Sequence, residues 1–317
     1  MNSNNNIITI PQGIWPVMVT PLTEDLKINY PGLKALIQWY ESAGVHGLFA
    51  NCLSSEMYEL DENERLDLTQ AVVDTSIVPV LTTGTFYTDA HENAAFINKI
   101  SETGVDGVVL ITGLLAGEDE DDSVLEESIR VILEETEDIP LGLYECPVPY
   151  KRLLSPALIG KLAKENRFIY SKDTSCVAEV VVEKIEAAKG SSLAIYNAHT
   201  PDALDSIRNG GAGISPIGAN FYPELYTYLW ENGRGEDISD DLVAVEQFLV
   251  ENDGIVHHKY PLSAKYFLQL RGLPMAVNTR KDVPELEAAD ITEIEALYQR
   301  FLTLCDRIGI QQAEVVA

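Results

Sequence analysis

Short apolar runs rich in Val, Ile and Leu alternate with longer stretches of mixed polarity from about residue 13 to residue 233. The apolar runs are Ile14–Val19, Gly47–Ala50, Val78–Thr82, Gly107–Ile111, Leu141–Cys146, Phe168–Ser171, Leu193–Asn197 and Ala212–Ile217. Brief segments that are apolar on both faces are expected of parallel strands covered on both sides. Helical patterning follows each in turn, over Pro31–Ala43, Glu62–Asp74, Asp89–Thr103, Ser123–Glu135, Ser155–Glu165, Val177–Lys189, Pro201–Asn209 and Pro223–Glu231. Eight such units without a long break predict an α/β fold, a closed (β/α)8 TIM barrel. An open doubly wound sheet would usually carry a glycine-rich phosphate loop after its first strand, where this chain has Val19-Thr20-Pro21-Leu22-Thr23.

After Asn232-Gly233-Arg234-Gly235 the strand pattern stops. Three helical stretches remain, Asp240–Asn252, His258–Leu270 and Asp290–Asp306. The expected division is a flexible segment over 1–12, a catalytic barrel over 13–233 and a C-terminal helical extension over 234–317. The extension is expected to pack on the barrel or on a neighbouring subunit, with no catalytic part of its own.

Composition narrows the function classes. Of 317 residues 46% are hydrophobic and 23% charged, as in ordinary globular proteins. A formal net charge of −28 opposes sequence-independent binding to nucleic acid or an anionic membrane. An acidic substrate would therefore need local positive charge or convergent N–H donors. Cys52, Cys146, Cys176 and Cys305 are far apart and form no C-x-x-C pair. That spacing argues against zinc and against a disulfide framework, and it suits a reducing compartment. The polar start, Met1 to Asn6, has no basic region and no long apolar run after it, so the chain is expected to be cytoplasmic.

Reactive residues are sought at the C-terminal ends of the strands. Phe168-Ile169-Tyr170-Ser171-Lys172-Asp173-Thr174-Ser175 places a lysine at such an end. A lone strand-end lysine is usually solvated; one aimed into a barrel mouth loses its proton more easily and can attack a carbonyl. Ala50-Asn51-Cys52-Leu53-Ser54-Ser55-Glu56 offers hydroxyls and backbone N–H groups that suit a carboxylate, or merely cap the next helix. Tyr144 lies near the end of the fifth run and suits proton transfer, although a core tyrosine is the commoner case. Gly210-Gly211-Ala212-Gly213-Ile214 is glycine-rich, for close approach to a ligand or for tight barrel closure. Asn197 and His199 end the seventh run, where capping before Pro201 competes with substrate contact.

Together these segments resemble the dihydrodipicolinate synthase and N-acetylneuraminate lyase family of class I, Schiff-base aldolase barrels. The family's G-[TS]-[TS]-G-E loop falls on Cys52-Leu53-Ser54-Ser55-Glu56, its Y-x-x-P on Tyr144-Glu145-Cys146-Pro147, and its lysine strand on Tyr170–Ser175. Pro261 and Lys265 before Arg271-Gly272 resemble its P-x-x-x-K helix. The resemblance spans Val19 to about Gly272. It implies that Lys172 is the imine-forming lysine and Tyr144 the proton-shuttling phenol. Ser54 would hold the 2-oxo acid carboxylate with Ser55 assisting. From the glycine-rich run itself, Gly213 and Ile214 are expected to line the substrate site. The resemblance further implies a pyruvate-type partner, no metal or organic cofactor, and a homotetramer or dimer.

Three positions depart from the family. Leu53 replaces the first hydroxyl of the loop, Thr112-Gly113-Leu114-Leu115-Ala116 lacks the family's tyrosine, and Pro149 stands where dihydrodipicolinate synthases carry an arginine. Lys151 and Arg152 lie slightly later. The expected reaction is cleavage of a 4-hydroxy-2-oxo acid, a 2-oxo-3-deoxy sugar acid or sialic-acid-like compound, to pyruvate and an aldehyde. The alternatives are dehydration of such an acid, dihydrodipicolinate synthesis, and binding of a 2-oxo acid without turnover. A metal-dependent hydrolase finds no H-x-H or carboxylate cluster at the strand ends.

Overall fold

In the computed structural model, which describes residues 9–315, eight short parallel strands form one sheet in the order β1-β8-β7-β6-β5-β4-β3-β2. They are β1 (Gly13–Ile14), β2 (Leu48–Phe49), β3 (Val80–Thr83), β4 (Gly107–Ile111), β5 (Leu141–Tyr144), β6 (Phe168–Asp173), β7 (Ile195–Asn197) and β8 (Gly213–Ile214). A parallel bridge between Val17 and Phe49 joins the two ends and closes the barrel. Phe49 N–H donates to the Pro16 carbonyl at 3.0 Å, and Met18 N–H to the Phe49 carbonyl at 3.1 Å. The first strand, expected over Ile14–Val19, is thus reduced to two residues and a bridge. Pro16 explains this, because it has no N–H to continue the ladder.

Eight helices cover the barrel: α1 (Tyr30–Ser42), α2 (Glu62–Thr75), α3 (Ala90–Ser101), α4 (Asp122–Glu135), α5 (Pro156–Leu162), α6 (Ala178–Ala188), α7 (Ala203–Arg208) and α8 (Pro223–Gly233). Their starts follow local chemistry. Asp61 and Glu64 form a reciprocal capping box at α2, Asp89 caps α3, and Ser155 with Pro156 opens α5. Inside the barrel Trp15, Phe49, Tyr170 and Tyr196 fill the floor beneath the strand ends. Tyr170 and Tyr196 lie 4.7 Å apart between ring centroids, and the Tyr170 hydroxyl donates to Ser215 Oγ at 2.8 Å.

Four helices extend the barrel: α9 (Asp240–Glu251), α10 (Asp253–His257), α11 (Leu262–Leu270) and α12 (Ala288–Ile308). The single helix expected over His258–Leu270 begins only at Leu262. Pro261 excludes helical backbone at Tyr260 and supplies no N–H, so the chain breaks there into α10 and α11. α12 buries Ile294, Leu297, Phe301 and Leu304, one stripe at helical spacing, against the core that includes Tyr222 and Phe267. Residues 1–8 of the expected flexible segment lie outside the described residues. The Pro11 carbonyl accepts from Trp15 Nε1 at 3.0 Å and from the Tyr196 hydroxyl at 2.8 Å, so residue 11 plugs the barrel floor. No helix among the described residues is long and apolar enough to cross a membrane.

Candidate active site

A cavity of about 290 Å³ opens at the C-terminal ends of the strands, and Ser54, Tyr144 and Lys172 all line it. Tyr144 and Lys172 are register partners on β5 and β6. Side chains alternate across a strand, so both point into the barrel while Glu145 and Asp173 point to the outer face. Lys172 is 3% exposed, and its Nζ lies 4.9 Å from the Tyr144 ring centroid. No carboxylate pairs with it among the described residues. Burial pushes its ammonium down to about 8, because the charged form loses water that nothing replaces. About one Lys172 in ten is then neutral at pH 7. Burial also raises the Tyr144 phenol well above the ordinary tyrosine value, so it keeps its proton.

Behind the wall Lys184 of α6 lies between two carboxylates, reaching Glu145 Oε1 and Asp173 Oδ2. All three are at most 1% exposed. Glu145 also accepts from Leu154 N–H at 2.7 Å and Thr174 N–H at 2.9 Å, and Asp173 from Ser175 N–H at 2.9 Å. The ends of β5 and β6, carrying Tyr144 and Lys172, are therefore fastened to each other and to α6.

The loop after β2 separates its two serines. Ser54 and Tyr260 both line the cavity, and the Tyr260 hydroxyl accepts from Asn220 Nδ2 at 2.9 Å. Ser55 turns inward instead. Its hydroxyl donates to the Met18 carbonyl at 2.6 Å and accepts from Cys52 N–H at 3.1 Å. It can shape the loop but does not reach the cavity. Glu56 closes the loop with left-handed backbone, φ 61°. Its buried carboxylate accepts from Lys265 Nζ and Thr279 Oγ1, both at 2.7 Å, and from Arg280 N–H at 2.6 Å.

The remaining expected positions are distributed unevenly. Gly213 and Ile214 do not line the cavity; they form β8, paired with Gly13 and Ile14. A Cβ on Gly213 would lie 1.8 Å from the Gly13 carbonyl oxygen, so this glycine allows barrel closure. Asn197 accepts from His199 N–H at 2.8 Å as a local cap, while His199 lines the cavity with Nδ1 2.6 Å from Asp202. Arg152 turns away to the Gly117 and Glu120 carbonyls and Asp122, whereas Lys151 lines the cavity. Tyr260 and Lys281, both from the C-terminal extension, also line it. Sequence reasoning missed both; the one signal was Pro261, which marks a turn where a helix was expected.

The wall thus combines a desolvated amine, a neutral phenol and a hydroxyl loop around one opening. That set can take up a ketone as an imine and move a proton beside it. The site's likeness to known proteins runs the same way. A 4-hydroxy-tetrahydrodipicolinate synthase of Methanosarcina mazei is 28% identical over 222 residues, 67% of this chain and 72% of its own. One from Methanosphaerula palustris is 24% identical over 294 residues, covering 90% and 99% of the two chains. Among solved structures, YagE, an E. coli K12 prophage protein of the dihydrodipicolinic acid synthase family in complex with pyruvate, superposes with a TM-score of 0.81. It is 24% identical and covers 93% of this chain and 99% of its own. The model of the Dihydrodipicolinate synthetase family matches residues 10–300, nearly the whole barrel and its extension, and the chain belongs to that family.

Proposed function

We propose that Lys172 forms an imine with the ketone of pyruvate, or of the pyruvate half of a larger 2-oxo acid, and that the enzyme makes or breaks the bond between that half and an aldehyde. One observation carries the reading: a wholly buried lysine without a counter-ion, opposite a tyrosine, in a cavity at the strand ends. The neutral amine adds to C2, and the C2 oxygen leaves as water, giving a protonated imine. This withdraws electrons from C3. In cleavage the C3–C4 bond pair moves into the imine, leaving an enamine, and C4 departs as an aldehyde. Tyr144 relays the proton: it gives up its own phenolic proton, which ends on C3, and takes the C4 hydroxyl proton, so the phenol is neutral before and after the cycle. Water then frees pyruvate and restores Lys172. Ser54 and the N–H groups of its loop hold the carboxylate.

Two aldehydes compete. The names of the relatives favour 4-hydroxy-tetrahydrodipicolinate synthase, in which pyruvate condenses with aspartate semialdehyde. Leu53, Pro149 and the missing tyrosine at 112–116 favour a sugar-derived aldehyde. Both readings use the same imine.

The test is borohydride reduction of the protein with pyruvate, followed by peptide mass spectrometry. An adduct on the Lys172 peptide supports the reading, and an aldehyde panel then decides between synthase and sugar-acid lyase. Folded protein without an adduct sinks it in favour of a binder that does not turn over. Sedimentation tests the homo-oligomer proposed from the family resemblance.

A further inference from the structure

The cavity is charged against the rest of the molecule. The chain has 50 Asp and Glu against 22 Lys and Arg. Yet no carboxylate lines the cavity, and three lysines do: Lys151, Lys172 and Lys281. Elsewhere lysines are matched. Seven of the twelve are in ion pairs. Among the described residues the five without a carboxylate partner are Lys34, Lys151, Lys164, Lys172 and Lys281, so three of these five share one cavity. Two histidines on its wall, His199 and His257, each have an aspartate nearby.

An unpaired amine at Lys172 is what a nucleophile requires. Lys281 and Lys151 have no such need. Lys151 donates to the Thr174 carbonyl at 2.9 Å, which neutralises no charge. Lys281 arrives on a tethered segment. Thr279 and Arg280, immediately before it, are bonded to buried Glu56, and the Arg280 guanidinium meets both oxygens of Glu64 at 2.7 Å. The ammonium is thereby delivered to the wall of the cavity that Lys172 also lines. An anion that enters an opening lined by three lysines and no carboxylate is attracted there by charge. A strongly acidic surface also repels anionic substrates at a distance, so a second negative group needs local cations.

We propose that Lys281, supported by Lys151, binds an anionic group on the aldehyde half of the substrate, at the end remote from the 2-oxo acid. The inference rests on the Schiff-base reading, which places the 2-oxo acid at Lys172 and Ser54. The group is a carboxylate or a phosphate, each able to take charge-assisted hydrogen bonds from an ammonium.

The experiment compares Lys281→Met with the unaltered protein, and with Lys34→Met as an unpaired lysine outside the cavity. Condensation with pyruvate is followed using glyceraldehyde, glyceraldehyde 3-phosphate and aspartate semialdehyde. The expected result is a preference for a charged aldehyde that falls about tenfold in Lys281→Met, through KM more than kcat, and persists in Lys34→Met. Whichever charged aldehyde loses more identifies phosphate or carboxylate. An equal change for all three aldehydes, or none, overturns the inference.

Calorimetric binding of glycerol 3-phosphate and of succinate keeps this separate from the imine. Binding lost in Lys281→Met, in a protein that traps no pyruvate, supports the anion subsite and removes the Schiff-base reading. Pyruvate trapped at Lys172, with anion binding unchanged in Lys281→Met, overturns the subsite and keeps the imine.

Discussion

Two buried lysines stand on opposite sides of one barrel wall and are treated in opposite ways. Lys184, behind β6, lies between Glu145 and Asp173, whereas Lys172, inside the mouth, meets no carboxylate. Both have lost water. The difference lies in what replaced it: two carboxylates for Lys184, and an aromatic ring with an apolar floor for Lys172. Pairing makes a buried ammonium a structural fastener, and its omission makes a buried amine available for chemistry. Adjacent residues serve both ends, because strand alternation sends Tyr144 and Lys172 inward and Glu145 and Asp173 outward.

The largest test of this contrast is Lys172→Met. Borohydride trapping of pyruvate should vanish, while urea unfolding shows no loss of stability, since the change removes a poorly solvated charge. Tyr144→Phe should keep the trapped adduct but lower turnover by about 10²–10⁴-fold, the range for a lost proton-transfer group. Lys184→Met should leave turnover possible in whatever folds but cost about 3–5 kcal/mol in urea unfolding, because two carboxylates stay buried without their cation. Adding Glu145→Gln and Asp173→Asn to that variant should recover most of the loss; no recovery would mean that the ion pairs are not the fastener.

A pH profile sharpens the comparison further. Only the neutral amine attacks, so the trapping rate should climb with pH and level off above about 8, where an ordinary lysine would still be climbing. The stability sign follows from the same shift. The folded-state value is depressed, so above about 8 and below the ordinary lysine value the unfolded chain holds more protons. The contribution of Lys172 to stability therefore rises with pH across that window, and Lys172→Met should remove this rise. The smallest effect is at the loop after β2. Ser55→Ala should cost about 1 kcal/mol in unfolding through its bond to Met18, whereas Ser54→Ala should act on KM for the 2-oxo acid.

The sequence made the barrel legible because buried parallel strands leave apolar runs that helical segments interrupt. It also brought Ser54, Tyr144 and Lys172 into view, since each ends a strand or sits in the turn that follows. The fastener was not legible. Glu145, Asp173 and Lys184 are separated by up to 39 positions, and each alone reads as a solvated charge. Gly213 carried two readings, and only the neighbouring Gly13 backbone decides between them. Lys281 lies 109 residues after Lys172, beyond the barrel, where pattern offered no reason to seek a wall of the cavity.

Glu56 has a consequence for how the molecule comes into being. It lies early in the chain, yet its partners are Lys265, Thr279 and Arg280, more than two hundred residues later. A growing chain that has emerged from the ribosome through residue 233 has every strand of the barrel, but the loop after β2 still ends in Glu56, whose three partners have not yet been made. Assembly of the opening therefore waits for the segment that carries Lys265, Thr279 and Arg280. The wall around Lys172 then closes only once residues 265–280 have joined the barrel, and a chain stopped short of residue 280 should be a barrel with an unfinished mouth.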